Sequence, residues 1–424
     1  MQNGRILRTV ASEKTWAACT RSVPAMFGAL LLPTRWRGFL RVSYLIGVVG
    51  LWGCTDPLRV GTRSTGGSND AGGAMAIGGV TGSGGTLVSS CPSGVDTQSD
   101  NNNCGACGTI CSASSPSTAQ CTASRCFITL AHSLHQPSDI AVNATNVFWT
   151  AGGTASNSWA DGLVMKVPLG GGTPSVLASG QYSPEGIAVD DINVYWTNGA
   201  NWILDGTVMK VPVGGGTPSV LASGQNGPSA IAVDNMSVYW TNHFGFTNDS
   251  FKDGPVMKVP MGGGIPTTLA SDGQPYGLAV DSTSVYWTAY SKGSVMKIPL
   301  GGGIPTTLAT ATSYPQFIAV DNTSVYWTSS VDGTVMKVPL GGGASTTLAS
   351  GLSNPEGIAL DDTSVYWVNW GTAGTDGSLM RIPLDGGTPI TLASGLSGPY
   401  RIAVDATSIY WSTTTGSVMK LTPK

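Results

Sequence analysis

Residues 355–368 read Pro-Glu-Gly-Ile-Ala-Leu-Asp-Asp-Thr-Ser-Val-Tyr-Trp-Val. A short apolar run ends in an acid, three small polar residues turn the chain, and a β-branched and aromatic run follows. That is the signature of two strands joined by a tight turn. The second run occurs seven times. Val-Phe-Trp-Thr ends at Thr150, and Val-Tyr-Trp-Thr ends at Thr197, Thr241, Thr288 and Thr328; Val-Tyr-Trp-Val ends at Val368 and Ile-Tyr-Trp-Ser at Ser412. The tryptophans are separated by 47, 44, 47, 40, 40 and 44 residues. A period of this size with strand-like, turn-punctuated content predicts radial β-repeats, not helix pairs.

Working outward from residue 368, a variable loop leads to Leu379-Met380-Arg381-Ile382-Pro383. The turn Asp385-Gly386-Gly387 then leads to Ile390-Thr391-Leu392-Ala393-Ser394. Each repeat therefore predicts four strands, and no window carries a sustained 3.6-residue period. The strands are apolar on both faces, as a blade packed between two neighbours requires. Ala in the middle of the first strand, as at Ala188, Ala359 and Ala403, suits a crowded axis. Pro closes the third strand, as at Pro168, Pro339 and Pro383, where no ladder donor is needed. The last repeat reaches only its third strand, Met419-Lys420-Leu421, while Phe127-Ile128-Thr129-Leu130-Ala131 before the first repeat reads as a fourth. The expectation is an all-β, seven-bladed β-propeller of four-stranded blades, closed by an N-terminal strand that completes the last blade and leaves no open edge. A small disulfide-rich module is expected before it.

The Tyr-Trp-Thr strand and the Gly-Ile-Ala-Val-Asp strand ahead of it resemble the YWTD propellers of the low-density-lipoprotein receptor family. They are also similar to NHL-type and virginiamycin B lyase-like bacterial propellers. The resemblance covers residues 127–424, about 70% of the chain. It departs from the YWTD pattern in two ways. The fourth position is Ala151, Asn198, Asn242, Ala289, Ser329, Asn369 or Thr413, never Asp, and seven repeats stand where the receptor type has six. The resemblance implies a fold and not an activity.

The remaining sequence reads as an exported protein. Charged residues are 11% of the chain, net charge is −3, and no basic patch marks a nucleic-acid partner. Arg35, Arg37 and Arg41 precede the apolar run from Val42 to Trp52, too short to span a bilayer and suited to a signal h-region. Residues 1–53 are thus expected to be a leader, with Met26 as an alternative start. Leu51-Trp52-Gly53-Cys54 resembles a bacterial lipobox with an unusual Trp, which would make Cys54 a lipidated N-terminus and the only membrane attachment. Ordinary cleavage nearby is the alternative. The expected location is the cell envelope, as a lipid-anchored surface protein, or the medium. Residues 54–90 are Gly/Ser/Thr-rich and read as a tether. Residues 91–126 hold Cys91, Cys104, Cys107, Cys111, Cys121 and Cys126. In an exported chain this even count predicts three disulfides; the Cys104-Gly105-Ala106-Cys107 spacing gives zinc as the alternative. The run 101–108 resembles small Stig1-like Cys-rich modules.

Repeated positions carry the fold, and positions that vary are free for function. The Asp closing the first strand recurs (Asp190, Asp234, Asp281, Asp321, Asp361, Asp405, with Asn143 in the first repeat) and reads as an Asx-turn acceptor. Triplets such as Gly170-Gly171-Gly172 lack the Lys and helix of a phosphate loop and read as hairpin turns. Variation concentrates in the long loops after the second strand, with Trp159, Trp202, His243, Phe244, Phe246 and Trp370. It also concentrates just after the Pro that opens the first strand, with Glu185, Tyr276, Gln316, Glu356, Tyr400 and Arg401. Strand order puts both sets on one face at the channel mouth. Exposed aromatics with a few polar groups on a rigid ring are the make-up of a recognition surface, or of loops capping their own cores. The three histidines, His132, His135 and His243, form no catalytic motif with the acids, and no nucleophile motif occurs. The expected function is non-enzymatic binding of a protein or carbohydrate ligand by a surface-tethered monomer, without metal or cofactor. A lyase or hydrolase at the channel mouth and a purely structural envelope protein stay open.

Overall fold

The computed structural model describes Ser99, Asn101, Cys104, Cys111 and residues 117–122, 124–199, 205–243, 254–271, 273–310 and 313–424. The leader, the tether, Cys54, Cys91, Cys107, Trp202, Phe244 and Phe246 lie outside them.

Seven four-stranded antiparallel sheets form a β-propeller. Blade one is Pro137–Val142, Asn146–Ala151, Gly162–Pro168 and Ser175–Gln181, and blades two to six repeat that order along the chain. Blade seven takes Pro399–Val404, Ile409–Thr413 and Ser417–Thr422 from the C-terminal end and Arg125–Ala131 from the N-terminal side. Phe127 faces Leu421 and Ile128 faces Lys420 across this closure, as the repeat count predicts. A fifth strand, Thr118–Thr122, pairs outside Arg125–Ala131. It was not expected, because its apolar face is only Ala119 and Cys121, the two residues that it packs on the core. It covers the edge that the closing strand would expose. Beyond strands, the described residues hold only the single 3-10 turns Ala155–Asn157 and Tyr290–Lys292.

The Tyr-Trp pair fills the space between blades. All seven tryptophans of the signature are at most 1% exposed, and each packs with residues of the neighbouring blade. The Thr after them braces the opening of the first strand, where each sheet has a register irregularity between the Pro and the Ile or Leu. Thr197 Oγ1 accepts from Gly186 N–H at 3.0 Å and donates to the Ser229 carbonyl of the next blade at 2.6 Å. Thr288 does the same with Gly277 and Gln316. Val368 leaves blade six without this brace.

The Asp that closes the first strand is an Asx-turn acceptor, as expected. Asp321 Oδ1 takes the backbone N–H groups of Thr323 and Ser324, and Oδ2 takes the Tyr326 hydroxyl at 2.8 Å. The pairing explains a correlated exception: blade one has Asn143 where the others have Asp, and Phe148 where they have Tyr. The Gly turns are hairpins, with Gly171 (φ 85°) and Gly172 (φ 125°) in backbone regions that side chains disfavour. A further element was not legible. The third-strand Lys of six blades donates to a main-chain carbonyl of the next blade, from Lys166 to Val213 through Lys420 to Leu169, which ties blade seven to blade one.

Cys104 and Cys121 form a disulfide with Cα atoms 5.5 Å apart. Cys111 and Cys126 are buried beside it, and the Sγ atoms of Cys104, Cys111 and Cys126 lie within 4.8 Å of one another. Cys126 is on the strand that closes the ring, so this cysteine cluster is built onto blade seven.

Candidate functional site at the channel mouth

Two backbone features set the working face. The Pro opening each first strand pairs with the residue ending the second, as Pro184 with Asn198 and Pro275 with Ala289. The residue just past the second strand then donates to the carbonyl before that Pro, as His243 to Gly227, Tyr290 to Gln274 and Trp370 to Asn354. Loop after strand two and opening of strand one are thereby tied at the same end of every blade.

All seven blades line one axial cavity of about 130 Å³ at this end, through Asp139, Gly186, Ser229, Tyr276, Phe317, Gly357 and Arg401 among others. Around it runs a chain of aromatic contacts. Tyr276 stacks on His243 (centroids 5.5 Å apart) and on Tyr290 (5.6 Å), and meets Phe317 edge-on at 5.5 Å. Tyr290 continues to Tyr314 at 4.9 Å, and Phe317 meets Tyr400 edge-on at 6.0 Å. Arg401 lies against two of these rings, 3.8 Å from the Phe317 centroid and 4.6 Å from that of Tyr400. The side chains of Tyr276 and Tyr400 are close enough to influence each other's ionisation.

The ionisable groups here are displaced from their ordinary values, mainly by burial. Glu356 is pushed up to about 7 by burial, against the pull of Arg401. Asp139 is raised by burial, with Arg401 and the amides of Ile187 and Ile140 opposing. Burial lowers His243, with Glu185 pulling the other way. Burial also holds Tyr276, Tyr290 and Tyr400 above 10. The mouth can offer ring faces, a fixed cation, and a carboxyl that carries a proton near neutrality.

The sequence-predicted residues divide in three. Glu185, His243, Tyr276, Gln316, Glu356, Tyr400 and Arg401 gather at the mouth. Trp159 and Trp370 are tied in by contacts of their own loops. The Trp159 carbonyl accepts from Ser183 N–H, closing its loop onto blade two, and Trp370 lies against Gly374 and Gly398. Trp202, Phe244 and Phe246 are outside the described residues. Asp139, Tyr290 and Tyr314 belong to the mouth and escaped the sequence reading. Tyr290 sits in a short loop, and loop length was the criterion applied. Asp139 could have been found: it is a carboxylate two residues after the Pro, where four other repeats have Gly186, Ala230, Gly277 and Gly357 and the remaining two have Phe317 and Arg401.

No protein-family model matches this chain, and no curated protein matches it by sequence. Solved structures do. A virginiamycin B lyase from Staphylococcus aureus superposes with a TM-score of 0.58 at 14% identity, covering 70% of this chain and 98% of that one. A streptogramin B lyase gives 0.57 at 15%, covering 71% and 98%. The WD40 β-propeller domain of Doa1 gives 0.54 at 14%, covering 70% and 95%. At these identities the likeness is one of fold: this chain is similar to virginiamycin B lyase-like and WD40 β-propellers.

Proposed function

We propose that this chain is a non-enzymatic binding scaffold that captures a protein or carbohydrate ligand with the loop-rich face of its propeller. The observation that carries this reading is the aromatic ring system of Tyr276, His243, Tyr290, Phe317 and Tyr400. It is drawn from four blades and converges on one mouth. Large flat side chains on a rigid frame supply contact area at low ordering cost. In the same reading the protein is an exported monomer, held at the cell surface by a lipid on Cys54 and a 54–90 tether. The YWTD and Stig1 resemblances describe its propeller and its cysteine module. The test is a glycan and surface-protein binding screen with the full chain. Tyr276→Ala should weaken a captured ligand by roughly thirtyfold, about 2 kcal/mol, measured below the melting temperature of the variant, which falls because the ring packs on His243, Tyr290 and Phe317. Trp367→Ala should instead lose roughly 3–5 kcal/mol of stability. Normal binding by Tyr276→Ala removes the reading.

One observation favours a second reading, a lyase at the same mouth. Glu356 is held at about 7 beside Tyr276 and Arg401, and a general acid or base works best with a pKa near the operating pH. Two of the three similar structures named above carry lyase names. Incubation with virginiamycin B, followed by mass spectrometry, tests it: steady loss of the substrate that stops in Glu356→Gln would favour catalysis over capture.

A further inference from the structure

Arg401 is the only cation lining the axial cavity among the described residues. Its guanidinium is fixed by the rings of Phe317 and Tyr400. Asp139, the counter-charge that lines the cavity with it, is incompletely engaged, and Glu356 acts on Arg401 as well. Arg401 Nε lies 3.6 Å from Asp139 Oδ1, an ion-pair distance beyond hydrogen-bond reach. Asp139 is held elsewhere: Oδ1 accepts from Ile140 N–H at 2.9 Å and Oδ2 from Ile187 N–H at 3.1 Å. Arg401 Nε and Nη1 are buried and make no hydrogen bond within the protein. Buried N–H groups without acceptors are costly, and a planar guanidinium fork matches a carboxylate in shape and charge. On the same rim Gln316 Oε1 is buried without a donor, so an N–H or O–H next to the acid would also be received.

We propose that the channel mouth is a carboxylate-binding site, in which Arg401 receives the acid group of a ligand whose body rests on the rings of Tyr276 and Tyr400. This deepens the binding-scaffold reading and rests on it. An acidic sugar and the free C-terminus of a peptide share the required chemistry, a carboxylate with a hydroxyl or amide N–H close by.

The site predicts its own pH dependence. Glu356 faces Arg401, Tyr400, Tyr276 and Tyr290. Those phenols stay protonated well above neutrality, and Arg401 stays charged. Gln316 and Phe317 of the adjoining strand do not titrate. Glu185 faces His243 and Tyr400, and His243 gains charge only in acid. Asp139 remains beside Arg401. Burial raises both Asp139 and Glu356, and Glu356 is the one held at about 7. A bound carboxylate favours its protonated form, which can donate a hydrogen bond to the ligand. Affinity should fall as pH rises through 7, approaching about tenfold per unit for one linked proton.

The experiment is calorimetric titration of the full chain with two acidic probes, D-glucuronate and N-acetylalanine. Their neutral counterparts are D-glucose and N-acetylalaninamide. The expected result is that at least one acidic probe binds more than tenfold tighter than its counterpart, and which one binds identifies the source of the acid. Arg401→Gln should remove the preference by about ten- to hundredfold. Arg401→Lys keeps the charge and guards against misfolding; it should retain part of the preference. Glu356→Gln should bind the acidic probe and lose the decline above pH 7. Equal binding of acidic and neutral probes overturns the carboxylate site and leaves the binding-scaffold reading standing. Absence of binding by both acidic probes, or a preference unchanged in Arg401→Gln, also overturns it.

Discussion

Glu356 ionises near 4.5 in an unfolded chain and near 7 in the folded protein, because burial among Tyr276, Tyr290 and Tyr400 penalises its charge. Between those values the folded state holds a proton that the unfolded state has released. Stability contributed at this site is therefore highest below pH 4.5, falls as pH rises to 7, and stays low above. Glu356→Gln should be more stable than the parent by about 3 kcal/mol at pH 8 and nearly equal at pH 4. Urea unfolding at the two pH values checks this; the same difference at both would refute it. The turn aspartates behave oppositely. Burial would raise Asp321, but hydrogen bonds from Thr323, Ser324 and Tyr326 outweigh it and hold it below 3.8. Its contribution is complete above pH 4 and is lost as pH falls through the lowered value. Tyr326→Phe should lose about 1 kcal/mol, since Asp321 keeps its two backbone partners, whereas Asp321→Ala should lose about 2–3 kcal/mol. Thermal unfolding of both variants at pH 7 decides the order.

At the scale of the blade, the repeats differ in how they satisfy their tryptophans. Trp196 and Trp240 donate to Gln181 and Gln225 at 3.0 Å, and those Gln residues end the fourth strand of the preceding blade. Trp367 Nε1 is buried with no partner. The residue matching Gln181 in the preceding blade is Leu352, since Ala-Ser-Gly-Leu at 349–352 aligns with Ala-Ser-Gly-Gln at 178–181. Leu352→Gln should give the Trp367 indole an acceptor and also engage Asn369, as Gln181 engages Asn198. A net gain of about 1 kcal/mol is expected, because Leu352 is only half-buried and the new bond replaces an unsatisfied donor. A lower melting temperature for this variant would mean that Leu packing outweighs the bond.

At the scale of the molecule, the ring depends on a strand from outside the seven repeats. Arg125–Ala131 completes blade seven, Thr118–Thr122 covers it, and Lys420 reaches the Leu169 carbonyl of blade one. Deleting residues 91–131 should lower the melting temperature of the whole propeller and promote association, because Ser417–Thr422 becomes an unpaired edge. An unchanged melting temperature and a monomeric deletion variant would show that the ring does not need its closing strand.

The sequence by itself determined the blade count, the strand order, the closure and the turn chemistry. These repeat, and each repeat obeys local rules: Asx turns at Asp, Gly at positive φ, Pro at strand ends. It also marked Glu185, Tyr276, Gln316, Glu356, Tyr400 and Arg401 as positions that escape the pattern. Only the tertiary structure decided which of the marked residues meet. The mouth is assembled from side chains of separate blades, from Asp139 to Arg401, and no spacing along the chain encodes their convergence. It set Trp370 against Gly374 and Gly398, and it brought in Tyr290 and Tyr314, which reach the cluster from short loops. The third-strand Lys staples and the added strand at Thr118–Thr122 belong to the same class. Their partners are backbone groups of other blades, and a backbone carbonyl leaves no mark in a sequence.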